Sequence, residues 1–281
     1  MSFLDRIAEC NVFDPARVLP FTVAGTRVGW VRRELAPRLQ AFADALDVSA
    51  AEIALRPYLT TFTERGAAME RVLRALEREG IVKGWRNESY PVTTDFSAPP
   101  LFQMERAGVP HFGVRAFGVH MNGYVRRADG LHMWIGRRAR DKPTFPGMLD
   151  NTVAGGQPIG LGLVENLIKE CKEEAGIPPE IARRAVPVGC ITYCTEAADG
   201  IKPDVQFCFD LELPDGFVPR NTDGEIEAFY LWPIAKVAEI VRDTREFKFN
   251  CNLVIIDFLV RHGLIAPDHP DYIAIARGLR R

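Results

Sequence analysis

The chain has 281 residues, 47% of them apolar and 26% charged, with a formal net charge of −2. This composition excludes disorder and collagen-like repeats, and the near-neutral balance argues against duplex nucleic acid as a partner. The length suits about two domains at ~150 residues each, enough to bury a core without disulfides or structural metal.

The opening MSFLDRIAEC carries Asp5, Arg6 and Glu9 and no apolar run, so it does not read as a signal peptide. No stretch reaches ~18 apolar residues, and no membrane span or membrane partner is expected. Residues 21–31 read as a hairpin around Ala24-Gly25-Thr26. Leu35, Leu39, Phe42, Ala43 and Leu46 recur at helical spacing. A stronger helix is expected from about Glu64, with Ala68, Val72, Leu73 and Leu76 on one face and Gly80 as its stop. Residues 88–95 read as a strand, broken by Ser97-Ala98-Pro99-Pro100. Residues 1–111 thus form a mixed α/β accessory domain without a chemical constellation of its own. The short connection Ala107-Gly108-Val109-Pro110 favours fixed docking.

From residue 112 the pattern changes. Strands are expected at 114–126 and 131–138, a short extended stretch at 148–156, a helix at 161–175, and strands at 187–193, 205–213 and 226–232. Helices follow at about 234–242, 251–262 and 272–279. Strands around one acidic helix, with helices after them, imply an α/β (α+β) sandwich in a domain of 112–281. The six cysteines (Cys10, Cys171, Cys190, Cys194, Cys208, Cys251) contain no CxxC pair, read as buried reduced thiols, and fit a reducing cytoplasm.

Several chemistries drop out. None of Ser2, Ser49, Ser89 and Ser97 lies in GxSxG, no GxxxxGK[ST] loop is present, and Gly160-Leu161-Gly162 lacks the third glycine of a dinucleotide fingerprint. The five histidines show no HxxxH spacing for zinc.

The acidic helix carries the chemistry. At 100° per residue, Glu170, Glu173 and Glu174 fall within an arc of roughly 100°. Val164, Leu167, Ile168, Cys171 and Ala175 form the opposite, apolar stripe, and Gly176 is placed as a left-handed cap. Carboxylates this close repel unless a cation sits among them, and oxygen ligands favour magnesium, with manganese or calcium as alternatives. A solvated acidic face is the competing explanation from spacing alone.

The stretch 155–177 resembles the Nudix box: a glycine, five residues, Glu, seven residues, then Arg-Glu-apolar-x-Glu-Glu-x-Gly-apolar. Gly155, Glu170, Cys171, Glu173, Glu174, Gly176 and Ile177 match in register; Lys169 replaces the arginine and Leu161 the first glutamate. Glu165, four residues before Lys169, is expected to pair with it and take over the orienting role. Trp134-Ile135-Gly136-Arg137-Arg138, Lys142 and the run 145–156 are similar to the subgroup related to thiamin pyrophosphokinase, which carries an amino-terminal domain of unknown function.

That resemblance covers nearly the whole chain and implies a Nudix α/β/α sandwich over about 112–245 with carboxy-terminal helices added, and an additional mixed amino-terminal domain. It implies a metal-dependent hydrolase of a small-molecule diphosphate, thiamin diphosphate or its damaged forms, with Mg2+ or Mn2+ held by Glu170, Glu173 and Glu174. Glu225 and Glu227 are candidates for the further carboxylate. Arg137, Arg138 and Lys142 are candidate diphosphate clamps, and Trp134, with Trp30, Trp85, Phe117 and Tyr193, is a candidate stacking surface. Nucleotides or sugar nucleotides are the alternative substrates, and a non-catalytic Nudix-fold binding protein is the alternative function. The run 144–152 is similar also to isopentenyl-diphosphate isomerase, but Val153 and Ala154 stand where that enzyme needs a cysteine. The sequence leaves the oligomeric state open.

Overall fold

The computed structural model describes residues 1–142 and 144–281. The amino-terminal half contains α1 (Phe3–Glu9), β1 (Val18–Val23), β2 (Thr26–Arg32), α2 (Ala36–Leu39), β3 (Leu46–Val48), β4 (Ile53–Leu55), α3 (Phe62–Arg78), β5 (Ser89–Val92) and β6 (Phe102–Glu105). Strands β1–β4 form a sheet in the order β2-β1-β4-β3, and β5 pairs with β6 alone. Helix α3 starts where Thr61 and Glu64 cap each other: Thr61 Oγ1 accepts from the Glu64 amide at 3.2 Å, and Glu64 Oε2 from the Thr61 amide at 3.0 Å. Its face of Ala68, Met69, Val72, Leu73 and Leu76 fills the local core with Phe21, Ile53, Phe102 and Phe112.

Two expectations for this half change. The apolar spacing over 35–46 yields no single helix. Pro37 sits in the first turn of a four-residue helix flanked by 3-10 turns, and Leu39 and Leu46 reach the core from separate elements. The strand expected over 88–95 ends at Val92, because Thr93 Oγ1 donates to Asp95 O (2.8 Å) and closes a turn.

The second half contains β7 (Phe117–Arg127), β8 (Gly130–Arg138), β9 (Leu149–Asp150), β10 (Val153–Gly156), α4 (Leu163–Ala175), α5 (Pro179–Ala182), β11 (Val186–Thr192), β12 (Thr195–Ala197), β13 (Gly200–Lys202), β14 (Val205–Glu212), β15 (Ile226–Pro233), α6 (Ile234–Asp243), α7 (Phe249–Arg261) and α8 (Tyr272–Gly278). Its seven-stranded sheet runs β11-β14-β7-β8-β15, with β10 on β7 and β9 on β8. The β14–β7 pair is parallel and the other pairs are antiparallel.

Alternation along the strands loads both faces. Val119, Met121 and Trp134 point toward α4 with Leu167, Cys171 and Ala175. Met133, Ile135 and Cys208 point the other way, toward α6 and α7. This is the expected α/β/α sandwich. Helix α1, which the sequence did not announce, belongs to that second core: Phe3, Ile7 and Cys10 pack with Val254, Ile255 and Ile275, so the chain's start is stitched to its end.

Candidate active site

Helix α4 sets the site. Glu165 Oε2 accepts from the Gly162 amide at 3.1 Å at its start, and Gly176, at φ 61°, ends it in the left-handed region. Asn166 Nδ2 pins the first turn to β10, donating to Gly156 O at 2.8 Å and Gln157 Oε1 at 3.0 Å. Leu167, Cys171 and Ala175 pack against the sheet with Ile168 partly buried, whereas Val164, expected in the same stripe, sits in the first turn and is 55% exposed. Glu170 and Glu174 turn toward β10 and Glu173 stays half-exposed.

Glu174 is only 5% exposed, and its Oε2 accepts from the Ala154 amide at 2.8 Å. Burial, reinforced by Asp150, Glu170 and Glu225, pushes its carboxyl well above the usual range. Burial also raises Glu170. Gly155 has no side chain because Glu170 occupies that space: a methyl there would lie 2.7 Å from Glu170 Oε1 and closer still to Cγ and Cδ. Lys169 Nζ donates to Glu173 (2.7 Å) and Glu170 (3.1 Å). Burial opposes its charge, but these partners push its pKa up to about 12.

The loop before β15 closes the cluster. Thr222 Oγ1 donates to Glu173 O at 2.6 Å, tying the loop to the end of α4. Glu225 pairs with Lys142 at 2.6 Å. Burial would raise the Glu225 carboxyl, but Lys142 outweighs it and holds it below the usual range. Glu227 sits at the register shift between Ile226 and Ala228, exposed, 3.8 Å from Arg140.

Glu170 and Glu173 share Lys169, Glu170 and Glu174 both face β10, and the charge of Glu225, paired with Lys142, reaches Glu174; among the described residues no three of these carboxylates have oxygens within 4.8 Å of one another. This donor set fits a hard divalent cation. All its ligand atoms are oxygens, and the buried Glu174 carboxylate faces like charges with one N–H donor among the described residues.

Other sequence candidates land elsewhere. Arg138 is buried: it donates to Asp150 Oδ2 (2.9 Å), Phe145 O (3.2 Å) and Thr144 O (3.0 Å), so its fork is consumed and it is no diphosphate clamp. Arg137 donates to Gly147 O at 2.9 Å and lies over Tyr230, bracing the loop. Trp134 is 7% exposed in the core under α4 and presents no stacking face. Glu165 makes no pair with Lys169, because capping Gly162 holds its carboxylate at the helix start. Trp30, Phe117 and Tyr193 line one cavity of about 620 Å3, with Phe96, Phe207 and Asp204, between the two halves of the chain.

Two groups went unseen in the sequence. Asp150 sits within 4.8 Å of His120 and Cys251. Burial would raise its carboxyl, but Lys248 and Arg138 keep it ionised, and Cys251 Sγ donates to it at 2.8 Å. Burial lowers the pKa of His120 to about 4. With two cations already on its one carboxylate, this cluster does not suit a further metal ion; the Asp150 charge is felt by Glu174. The other group is Tyr90 of β5 and Arg106 after β6, which reach Gly156, with Glu88, just before β5, paired to Arg106. Their sequence signal is weak, three residues split over two segments.

A family model described as a domain of unknown function, DUF4743, matches residues 2–116. The chain is 44% identical over 282 residues to a chloroplastic protein named Nudix hydrolase 24 of Arabidopsis thaliana, covering 99% of this chain and 77% of that one. It is 43% identical to chloroplastic Nudix hydrolase 20 of the same plant, with the same coverage. An uncharacterised protein of Saccharomyces cerevisiae is 31% identical, over 92% of this chain and 81% of that protein. With identity at this level over 99% of its length, the protein belongs to the Nudix hydrolase family.

Proposed function

We propose that this chain hydrolyses the phosphoanhydride bond of a small diphosphate compound with a flat heteroaromatic head, thiamin diphosphate or a damaged form of it, giving a monophosphate and phosphate. The approach of Glu174 to the Ala154 amide and of Glu170 to the bare Gly155, with Glu173 tied to Glu170 through Lys169, supports this reading. Magnesium or manganese held by these three carboxylates would neutralise phosphate charge and lower the pKa of a bound water. In this reading Glu225, whose pKa Lys142 holds low, accepts the proton of the attacking water as oxygen adds to phosphorus and the bridging P–O bond breaks. Lys142, 12% exposed in its side chain, holds that carboxylate in place.

The head-group assignment is supported by the cavity between the halves, where Phe96 meets Phe117 and Phe207 edge-on at 5.1 and 4.7 Å between ring centres. We divide the chain at 111/112 into accessory and hydrolase domains, α1 packing across the boundary. Six free cysteines support a reducing compartment, the cytoplasm in our reading. Among the described residues no helix is long and apolar enough to cross a membrane.

The test is phosphate release with magnesium from thiamin diphosphate, its oxidised analogues, nucleoside diphosphates, ADP-ribose and nucleoside triphosphates. The reading expects the thiamin compounds to have the highest kcat/KM. A preference for a nucleoside triphosphate by about tenfold, ~1.4 kcal/mol in the transition state, would reject the head-group assignment.

A further inference from the structure

Strands β5 and β6 of the amino-terminal half meet β10 at the residue following Gly155. A side chain at Gly156 would begin where the Tyr90 hydroxyl lies, 2.9 Å from Tyr90 Cζ and 3.5 Å from Arg106 Cζ. Gly156 is thus covered by the accessory domain, while its neighbour Gly155 is covered by Glu170. Successive residues of a strand point to opposite faces, so the Glu170 carboxylate and the Arg106 guanidinium flank the end of β10 from its two sides. Among the described strands β10 pairs with β7 alone, which leaves its other edge open between them. The Glu170 charge acts on both Arg106 and Tyr90.

Arg106 is incompletely used by the protein. Its Nη1 donates to Glu88 Oε2 at 2.7 Å, and its guanidinium lies 5.6 Å from the Tyr90 ring centre. Its Nε and Nη2 have no protein acceptor among the described residues, and the side chain is 43% exposed. Arg86, also of the accessory domain, lies nearby in charge. Its amide donates to Glu105 Oε1 at 2.9 Å, and its charge reaches Glu225.

We propose that Arg106 of the accessory domain grips non-bridging phosphate oxygens of the substrate, so that β5 and β6 complete the active site. A guanidinium fork matches two phosphate oxygens with parallel N–H donors, which a lysine cannot reproduce. Glu88 holds the fork in position, and the bare Gly156 lets it come within reach of the box. The substrate's diphosphate is then neutralised from both sides, by the cation on the carboxylates and by Arg106. This rests on the hydrolase reading and adds to it a substrate-binding residue outside the hydrolase domain.

The test uses the full-length protein and two probes. Inorganic pyrophosphate affinity is measured by calorimetry with magnesium, and kcat and KM are measured for thiamin diphosphate and ADP-ribose. Arg106→Gln is expected to weaken pyrophosphate binding and raise KM by about tenfold or more, with kcat changed less. Arg106→Lys recovers only part of the affinity. Wild-type pyrophosphate affinity and KM within about twofold in Arg106→Gln overturn the proposal, as does a wild-type protein that does not bind pyrophosphate. Should Arg106→Gln lose its fold by circular dichroism, Arg106→Lys decides: a loss of about threefold or more supports the fork, and equality with wild type refutes it. A wild-type protein that binds pyrophosphate through Arg106 but cleaves no diphosphate sinks the hydrolase reading alone.

Discussion

Replacing Gly155 by alanine separates the positioning of the site from its stability. The new methyl would lie 2.7 Å from Glu170 Oε1, whereas ordinary contact begins near 3.4 Å, so the carboxylate must retreat by about 0.7 Å or more. The obstructing atoms belong to a side chain, not to backbone, so the fold can yield at a cost of about 1–3 kcal/mol. At ~2–4 °C per kcal/mol, the melting temperature drops by only several degrees. Catalysis should suffer more, because a displacement approaching 1 Å at a reacting centre costs on the order of 10²-fold. Phosphate release with saturating magnesium gives kcat/KM, and differential scanning fluorimetry gives Tm. Activity within threefold of wild type in a protein with unchanged Tm would refute the placement of Glu170 in the site.

Glu174→Gln should raise the Tm of the metal-free protein at pH 7–8. The folded-state pKa of Glu174 lies above its unfolded value, so the cost of burying its charge is present above the folded pKa and vanishes below the ordinary value of 4.5; the gain should disappear as pH falls toward 4. Magnesium should stabilise wild type more than this variant; equal Tm gains in both would argue against Glu174 as a ligand. Arg138→Ala should destabilise by about 3–5 kcal/mol, because it strips the main partner from buried Asp150, and a denaturant melt with an unchanged midpoint would contradict the pair. Glu165→Ala should cost about 1 kcal/mol by loss of the Gly162 cap and leave kcat/KM within threefold; collapse of activity at full stability would restore an orienting role for Glu165.

The sandwich was legible because its signals are local. Glycines 155 and 176, the stripe Leu167-Cys171-Ala175 and the alternation in 117–138 each point to one structure. Helical geometry alone puts the three box carboxylates on one flank of α4, but the packing that buries Glu174 and leaves Glu173 half-exposed is set by β10 and was not legible. What escaped depends on tertiary partners. Arg137 and Arg138 look alike in sequence, yet strand alternation sends Arg138 inward to Asp150 and leaves Arg137 at the surface of the loop. Trp134 is distinguished from a stacking residue only by the helix above it. Glu225 and Glu227 share parity on a regular strand, and a register shift between 226 and 228 separates them. Tyr90 and Arg106 carry no motif; their relation to the box exists only because β5 and β6 dock on Gly156.

The central claim is that the carboxylates of α4 support metal-dependent cleavage of a diphosphate. Titrating magnesium into wild type, Glu173→Gln and Glu174→Gln while following phosphate release from thiamin diphosphate and ADP-ribose tests it directly. The account predicts a saturable rise in wild type, no turnover in chelator, and a loss on the order of 10²-fold or more in both variants. Undiminished turnover in chelator, or in both variants, would contradict it.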